Sequence, residues 1–356
     1  MAHSVAGFAA AALAVLSPAQ LVFLRALPKA DLHAHLNGSI PLPTLQALAR
    51  DADSLPAAAT DRELVRAGIA RLQAGVALGE IDDFFTLFPA IYALTAAPPA
   101  LARATRAVLE HFLVPAEHGF PEAAYLELRT TPRATSAMTR MHYLETVLAE
   151  VERFPPEQAA LIVSLDRRMD AAVAAECVQC AITLKHAGRR VVGVDLCGDP
   201  KAGDMTTFEE HFRKAKEAGL GITLHIAETA DCPPAEVLQL LSYAPDRLGH
   251  ATFLDDDAKA HVRARKTCVE ICLSSNLLCK TVPALDAHHL RFYLAHDHPV
   301  AVCTDDILPF RNSLLGEYAM LLAAPPYGLG LTESEVARIA QMSMDCRFRL
   351  GGRMQT

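Results

Sequence analysis

No tryptophan occurs in this chain, and cysteine and glycine are sparse, at nine and 18 among 356 residues. The missing tryptophan carries no functional inference. An odd number of thinly spread cysteines excludes a closed disulfide framework and suits a reducing compartment. Basic residues are also short: 33 Lys and Arg face 41 Asp and Glu, a formal charge of −8. That balance argues against polymeric nucleic acid as a partner, which calls for a basic footprint. It leaves room for a small anion in a local pocket.

No long hydrophobic run is present. The alanine-rich stretch from Val5 to Leu16 falls short of the roughly 20 apolar residues that span a bilayer, and no Lys or Arg precedes it. It reads as a disordered or processed extension covering residues 1–17, or as the first part of a packing helix. Ser17-Pro18 is a sound helix start. A cytoplasmic location is expected, with organelle targeting left open. No Gly- or Ser-rich linker divides the chain, and no Gly-x-Gly-x-x-Gly follows an early strand, so a single domain over residues 1–356 is expected.

What is there is hydrophobic, at 51% of residues, enough for a sizeable core. Eight apolar runs read as buried strands: Ala30 to His35, Tyr125 to Arg129, Leu161 to Asp166, Val191 to Leu196, Gly221 to Glu228, Arg247 to Phe253, Val269 to Ser275, and Val300 to Asp306. Most are continuously apolar, as when both faces of a parallel sheet are covered. Helical stretches separate them, which predicts a (β/α)8 TIM barrel with additional helices between the first two strands. A doubly wound open sheet is the alternative. Cys177-x-x-Cys180 lies in a helical pattern and is assigned to packing.

The unusual polar residues gather at C-terminal strand ends, where a barrel places its active site. His33 and His35 stand two apart on the first strand and therefore share a face. Alone, such a pair is more often two satisfied histidines. His225 and Glu228 on the fifth strand, His250 on the sixth, and Asp305 and Asp306 on the eighth change that balance. His33, His35, His225 and Asp305 can offer three nitrogens and one oxygen to a single Zn2+. Glu228 can hand over a proton, and His250 and Asp306 can orient a water. Taken singly, His250 reads as structural and Asp306 as a helix cap.

Four ordered segments, Leu32-His33-Ala34-His35-Leu36-Asn37-Gly38-Ser39, Leu224-His225-Ile226-Ala227-Glu228, Gly249-His250 and Thr304-Asp305-Asp306, resemble those of the adenosine deaminase superfamily. Leu27-Pro28-Lys29, the run from Tyr125 to Arg133, and the run from Gly193 to Pro200 are similar to its N6-methyl-AMP deaminase branch. The resemblance implies zinc-dependent hydrolysis of N6-methyl-AMP, and of other N6-alkyl AMPs, to IMP and an amine. It implies His33, His35, His225 and Asp305 as zinc ligands and Glu228 as the proton donor to purine N1. His250 and Asp306 would then handle the attacking water, with Gly198 bringing its backbone to purine N3.

The substrate implied is a free purine nucleotide, with no polymer, no membrane and a monomeric enzyme. Adenosine deaminases usually carry Asp where this chain has Asn37; losing that charge suits a 5′ phosphate. Arg129, Thr131, Arg133 and Lys201 are candidate phosphate contacts, with surface salt bridges and loop caps as their ordinary alternatives. Phe84, Phe85 and Phe88 could line the purine pocket, though plain core packing explains them as well. Two departures from the family pattern, Ala251 after His250 and the apolar run from Ile307 to Phe310, put alkyl preference in doubt. Adenosine deaminase or another purine amidohydrolase, and a silent nucleoside-binding protein, remain the alternatives.

Overall fold

The computed structural model describes residues 5–52, 63, 66–68, 70, 71 and 88–349. Eight parallel strands run in chain order around one sheet. They are β1 (Ala30–His35), β2 (Tyr125–Thr130), β3 (Ala159–Asp166), β4 (Val191–Cys197), β5 (Gly221–Ile226), β6 (Arg247–His250), β7 (Cys268–Ile271) and β8 (Val300–Val302). An open doubly wound sheet would reverse its strand order part-way; this one does not. The ring closes at its tips: the His35 N–H donates to the Asp305 carbonyl at 2.9 Å and the Asp305 N–H to the His33 carbonyl at 2.8 Å, a bridge centred on Ala34 and Asp305. The fold is a (β/α)8 barrel.

Four predicted strands are too long: β5 ends at Ile226 and β6 at His250, short of Glu228 and Phe253, and β7 and β8 end at Ile271 and Val302. The apolar run after β7 turns into a helix, Leu273–Leu278, and the run after β8 leads into the short helix Ile307–Phe310. All four residues of Ile307–Phe310 are buried, so unbroken hydrophobicity there reports burial and not extension. Among the described residues, the additional helices between β1 and β2 include Leu42–Ala52, Phe88–Leu94 and Pro98–Leu113. A helix expected over Asp61 to Ala77 falls mostly outside the described residues.

Residues 7–15 are not a disordered extension. They form the helix Gly7–Val15, with Ala9 and Ala12 fully buried. Ala9 packs so closely on Gly316 that a Cβ there would lie 2.7 Å from the Ala9 methyl. The next helix, Pro18–Ala26, begins with the expected Ser17 cap, reciprocated by Gln20. No single described helix is long and apolar enough to cross a membrane. Cys177 and Cys180 are buried in the helix Ala171–His186.

The lower end of the barrel is plugged by Phe348. Its ring lies against β4 and β5 where Gly193 and Gly221 leave room; a Cβ at either would come within 2.7 and 2.5 Å of it. Above the ring, at 3.7 Å, sits the buried Arg247 guanidinium. It bonds Glu127 at 2.6 Å and Glu270 at 2.7 Å. Charges this deep persist only when paired, and this network forms the floor under the site.

Candidate active site

β1 carries His33 and His35 to one face, and the end of β5 brings His225 to meet them. The Nε2 atoms of His33 and His225 each lie 3.2 Å from Nε2 of His35. Asp305 Oδ1 is 3.5 Å from both His33 Nε2 and His35 Nε2. Tetrahedral zinc with bonds of about 2.0–2.1 Å separates its ligand atoms by about 3.3 Å, so the donor spacing fits that ion. Groups of His, Asp and Cys here, including His33, Cys272 and Asp305, each offer donor atoms within 4.8 Å of one another.

The far sides of the rings are fixed. His33 Nδ1 is 2.7 Å from Glu270 and His225 Nδ1 is 3.0 Å from Asp195. Carboxylates at Nδ1 select the tautomer that leaves Nε2 as a lone-pair donor. Burial and Arg129 oppose a proton on His33, yet Asp305 and Glu270 raise its pKa to about 9. Burial instead holds His35 well below the usual histidine range. The carboxylates therefore draw a positive charge to this cluster, which is compatible with a single catalytic zinc.

Glu228, His250 and Asp306 share the same pocket. Burial raises the Glu228 pKa, so the carboxyl favours its protonated form. Burial lowers His250 to about 3, keeping the ring neutral. Its Nε2 stands 3.8 Å from Asp305 Oδ2 and 3.9 Å from Glu228 Oε2. Burial, and then the neighbouring Asp305 charge, push Asp306 well up. Hydrogen bonding to His33 and the charge of His250 outweigh burial at Asp305 and hold it down. Asp305 is thus the anion of the pair and Asp306 the acid. Asp306 begins the helix Ile307–Phe310 but makes no side-chain cap. The strand ends curl inward through left-handed residues: Ala227 at φ 50°, His250 at 60°, Ala251 at 50° and Asp305 at 64°. Such backbone is costly for residues other than glycine and concentrates at functional sites.

The cavity above has a volume of about 730 Å³ including its open mouth. His35, Asn37, Phe88, Thr131 and Gly198 line it, among the residues expected for substrate. Phe84 and Phe85 lie outside the described residues. Arg129 departs from expectation. Although it borders the cavity, its guanidinium is fully buried, bonded to Glu270 at 2.8 Å and the Leu32 carbonyl at 2.5 Å, and 3.3 Å from Asp195. Its Nη2 is bonded into the floor, and no part of the side chain reaches solvent. Arg133 donates to Thr95 at 2.9 Å and lies over the Tyr92 ring at 4.0 Å, outside the cavity wall. Lys201 is exposed and also off the wall.

Sequence reasoning missed Asp195, Glu270, Tyr92, Asp166, Arg168, Cys272 and Cys279. The signal for Glu270 was a carboxylate in the middle of an apolar strand. For Asp195 it was the acidic residue inside Gly193 to Pro200.

The adenosine deaminase family model matches residues 28–349. The chain belongs to the adenosine deaminase family. Within that family it stands with the N6-methyl-AMP deaminases. It is 32% identical to the N6-mAMP deaminase of Arabidopsis thaliana, over 92% of this chain and 94% of that protein. It is 34% identical to the human N6-methyl-AMP deaminase, over 93% and 91%. A crystal structure of the Arabidopsis relative complexed with IMP superposes with a TM-score of 0.78 at 32% identity, over 92% of this chain and 94% of that one.

Proposed function

We propose that this chain hydrolyses N6-methyl-AMP to IMP and methylamine, and accepts related N6-alkyl AMPs. The observation that carries the reading is the convergence of His33, His35, His225 and Asp305 beside the Glu228 carboxyl in one cavity. Asn37 on the cavity wall, uncharged, supports a phosphorylated substrate. The named relatives support the same choice. A cytoplasmic location is part of this proposal, from the odd number of thinly spread cysteines in the sequence.

What a bound zinc supplies is acidity for the attacking water near neutral pH. Glu228 donates its proton to purine N1 as the water oxygen bonds to C6. Through His250 or Asp306 the first water proton passes to the leaving nitrogen. The C6–N6 bond then breaks and the amine departs. The second water proton restores Glu228, and the oxygen stays as the C6 carbonyl of IMP. Burial of His250 and Asp306, with Glu228 only partly exposed, keeps bulk water from competing for these protons.

The test is turnover by zinc-loaded protein of N6-methyl-AMP, AMP, N6-methyladenosine and adenosine at matched concentrations. Equal amounts of IMP and methylamine from the first, at the highest kcat/KM, are expected. Preference for either nucleoside would overturn the nucleotide assignment. No turnover at full zinc occupancy would overturn the enzymatic reading and restore a binding protein.

A further inference from the structure

The proposed substrate brings a phosphate dianion into a cavity whose wall also holds the acidic side chains Asp166, Glu228, Asp305 and Asp306. Some cation must answer it. Arg129 is fully buried, its Nη2 held by Glu270 and the Leu32 carbonyl. Arg167 is buried and turns away, bonding the Pro200 carbonyl and Glu236. Among the described residues on the wall, Arg168 is the other guanidinium.

Its setting is that of an oriented donor. Arg168 Nε and Nη2 grip Asp166 at 2.8 and 2.5 Å, and its backbone N–H reaches the same carboxylate at 2.9 Å. The side chain is nonetheless 55% exposed. Two contacts fix the guanidinium plane while leaving Nη1 and the second Nη2 hydrogen outside the pair. Asp166 is itself fixed at the end of β3. Position 198 must be glycine-like to admit it, since a Cβ there would lie 2.8 Å from Asp166 Oδ1 and the backbone has φ 103°. The fork therefore stands at the β3–β4 side of the cavity, with Tyr92, while the histidines and Asp305 occupy β1, β5, β6 and the end of β8.

We propose that Arg168, oriented by Asp166, binds the 5′ phosphate and thereby sets the preference for nucleotide over nucleoside. This rests on the nucleotide reading above. A nucleoside has no phosphate edge for this fork to meet and so gains nothing from it. Two directed N–H groups still match a phosphate edge, which an ammonium matches less well.

The experiment compares Arg168→Ala and Arg168→Lys with the wild type, all zinc-loaded, on N6-methyl-AMP and N6-methyladenosine. The ratio of kcat/KM for nucleotide over nucleoside should fall about 10- to 100-fold in the alanine variant, chiefly through KM. The lysine variant should fall between. An unchanged ratio, whether both substrates hold or both fall together, would mean an ordinary local salt bridge and overturn the proposal. Failure of the nucleotide reading shows separately, in a wild type that prefers the nucleoside. Should the wild type turn over neither substrate, calorimetric binding of IMP against inosine to the three proteins decides the role of Arg168 by the same ratio.

Discussion

The carboxylate of Asp306 fills the space that a side chain at position 38 would need: a Cβ on Gly38 would fall 1.4 Å from Asp306 Oδ1. The turn Asn37–Ser39 and the β8 tip are thus pressed together with only a hydrogen between them. Gly38→Ala should displace Asp306 and lower kcat by about 100-fold, the scale of a misplacement near 1 Å at a reacting centre. Zinc content should hold, because Asp306 is not among the proposed ligands. Steady-state kinetics with metal analysis checks this; wild-type kcat would show that the turn yields instead.

Asp195 meets the metal cluster directly at the His225 ring. Asp195→Asn keeps shape but weakens the hold on Nδ1. Zinc affinity should drop about 10- to 100-fold, read by competition with a chelator. Unchanged affinity would mean that the 3.0 Å contact does not orient the ring.

Glu228→Gln removes the proton donor while preserving volume. The expected loss in kcat is about 10²- to 10⁴-fold, with zinc retained. In the wild type, the donor is present while the pH stays below the raised Glu228 pKa. Activity should therefore fall on the alkaline side of that value. A rate that keeps rising with pH, in a profile corrected for metal loss, would contradict the assignment.

Glu317 offers a pH effect on stability away from the chemistry. Buried, it takes hydrogen bonds from Asn312 at 2.8 Å and from the Ser274 N–H at 3.3 Å. Burial outweighs these bonds and raises its pKa from 4.5 to about 7. The folded state thus holds a proton that the unfolded chain releases at lower pH. Its contribution is complete below about 4.5 and is lost as pH rises through about 7, a change on the order of 3 kcal/mol. Glu317→Gln, neutral throughout, should flatten that part of the stability profile. Denaturant melts at pH 5 and pH 8 compare the two proteins, and equal slopes would refute the assignment.

Much of this site could be read from the sequence because its parts lie on short segments with fixed periodicity. Two-residue spacing put His33 and His35 on one face, and strand ends in a barrel have one place to converge. The failures share a cause. Arg129 looked available because sequence shows its charge and hides Glu270 and Asp195 beneath it. Glu270 went unnoticed because its partners Arg129, Arg247, Thr223 and His33 are distant in the chain. Arg168 was passed over because it follows β3, a strand with no other mark of chemistry. β7 and β8 were drawn too long because a buried helical turn and a buried strand look alike in a short apolar run.

The closing bridge between Ala34 and Asp305 has a consequence for how the molecule comes apart. The seam between the first and last strands runs past His33, His35 and Asp305, with Asp31 bonded to Thr304 beside them, so one ion held by these side chains would be a clasp across it. Emptying the site should loosen the ring at its weakest joint before any other strand lets go. The same few atoms would then govern both chemistry and the order of unravelling.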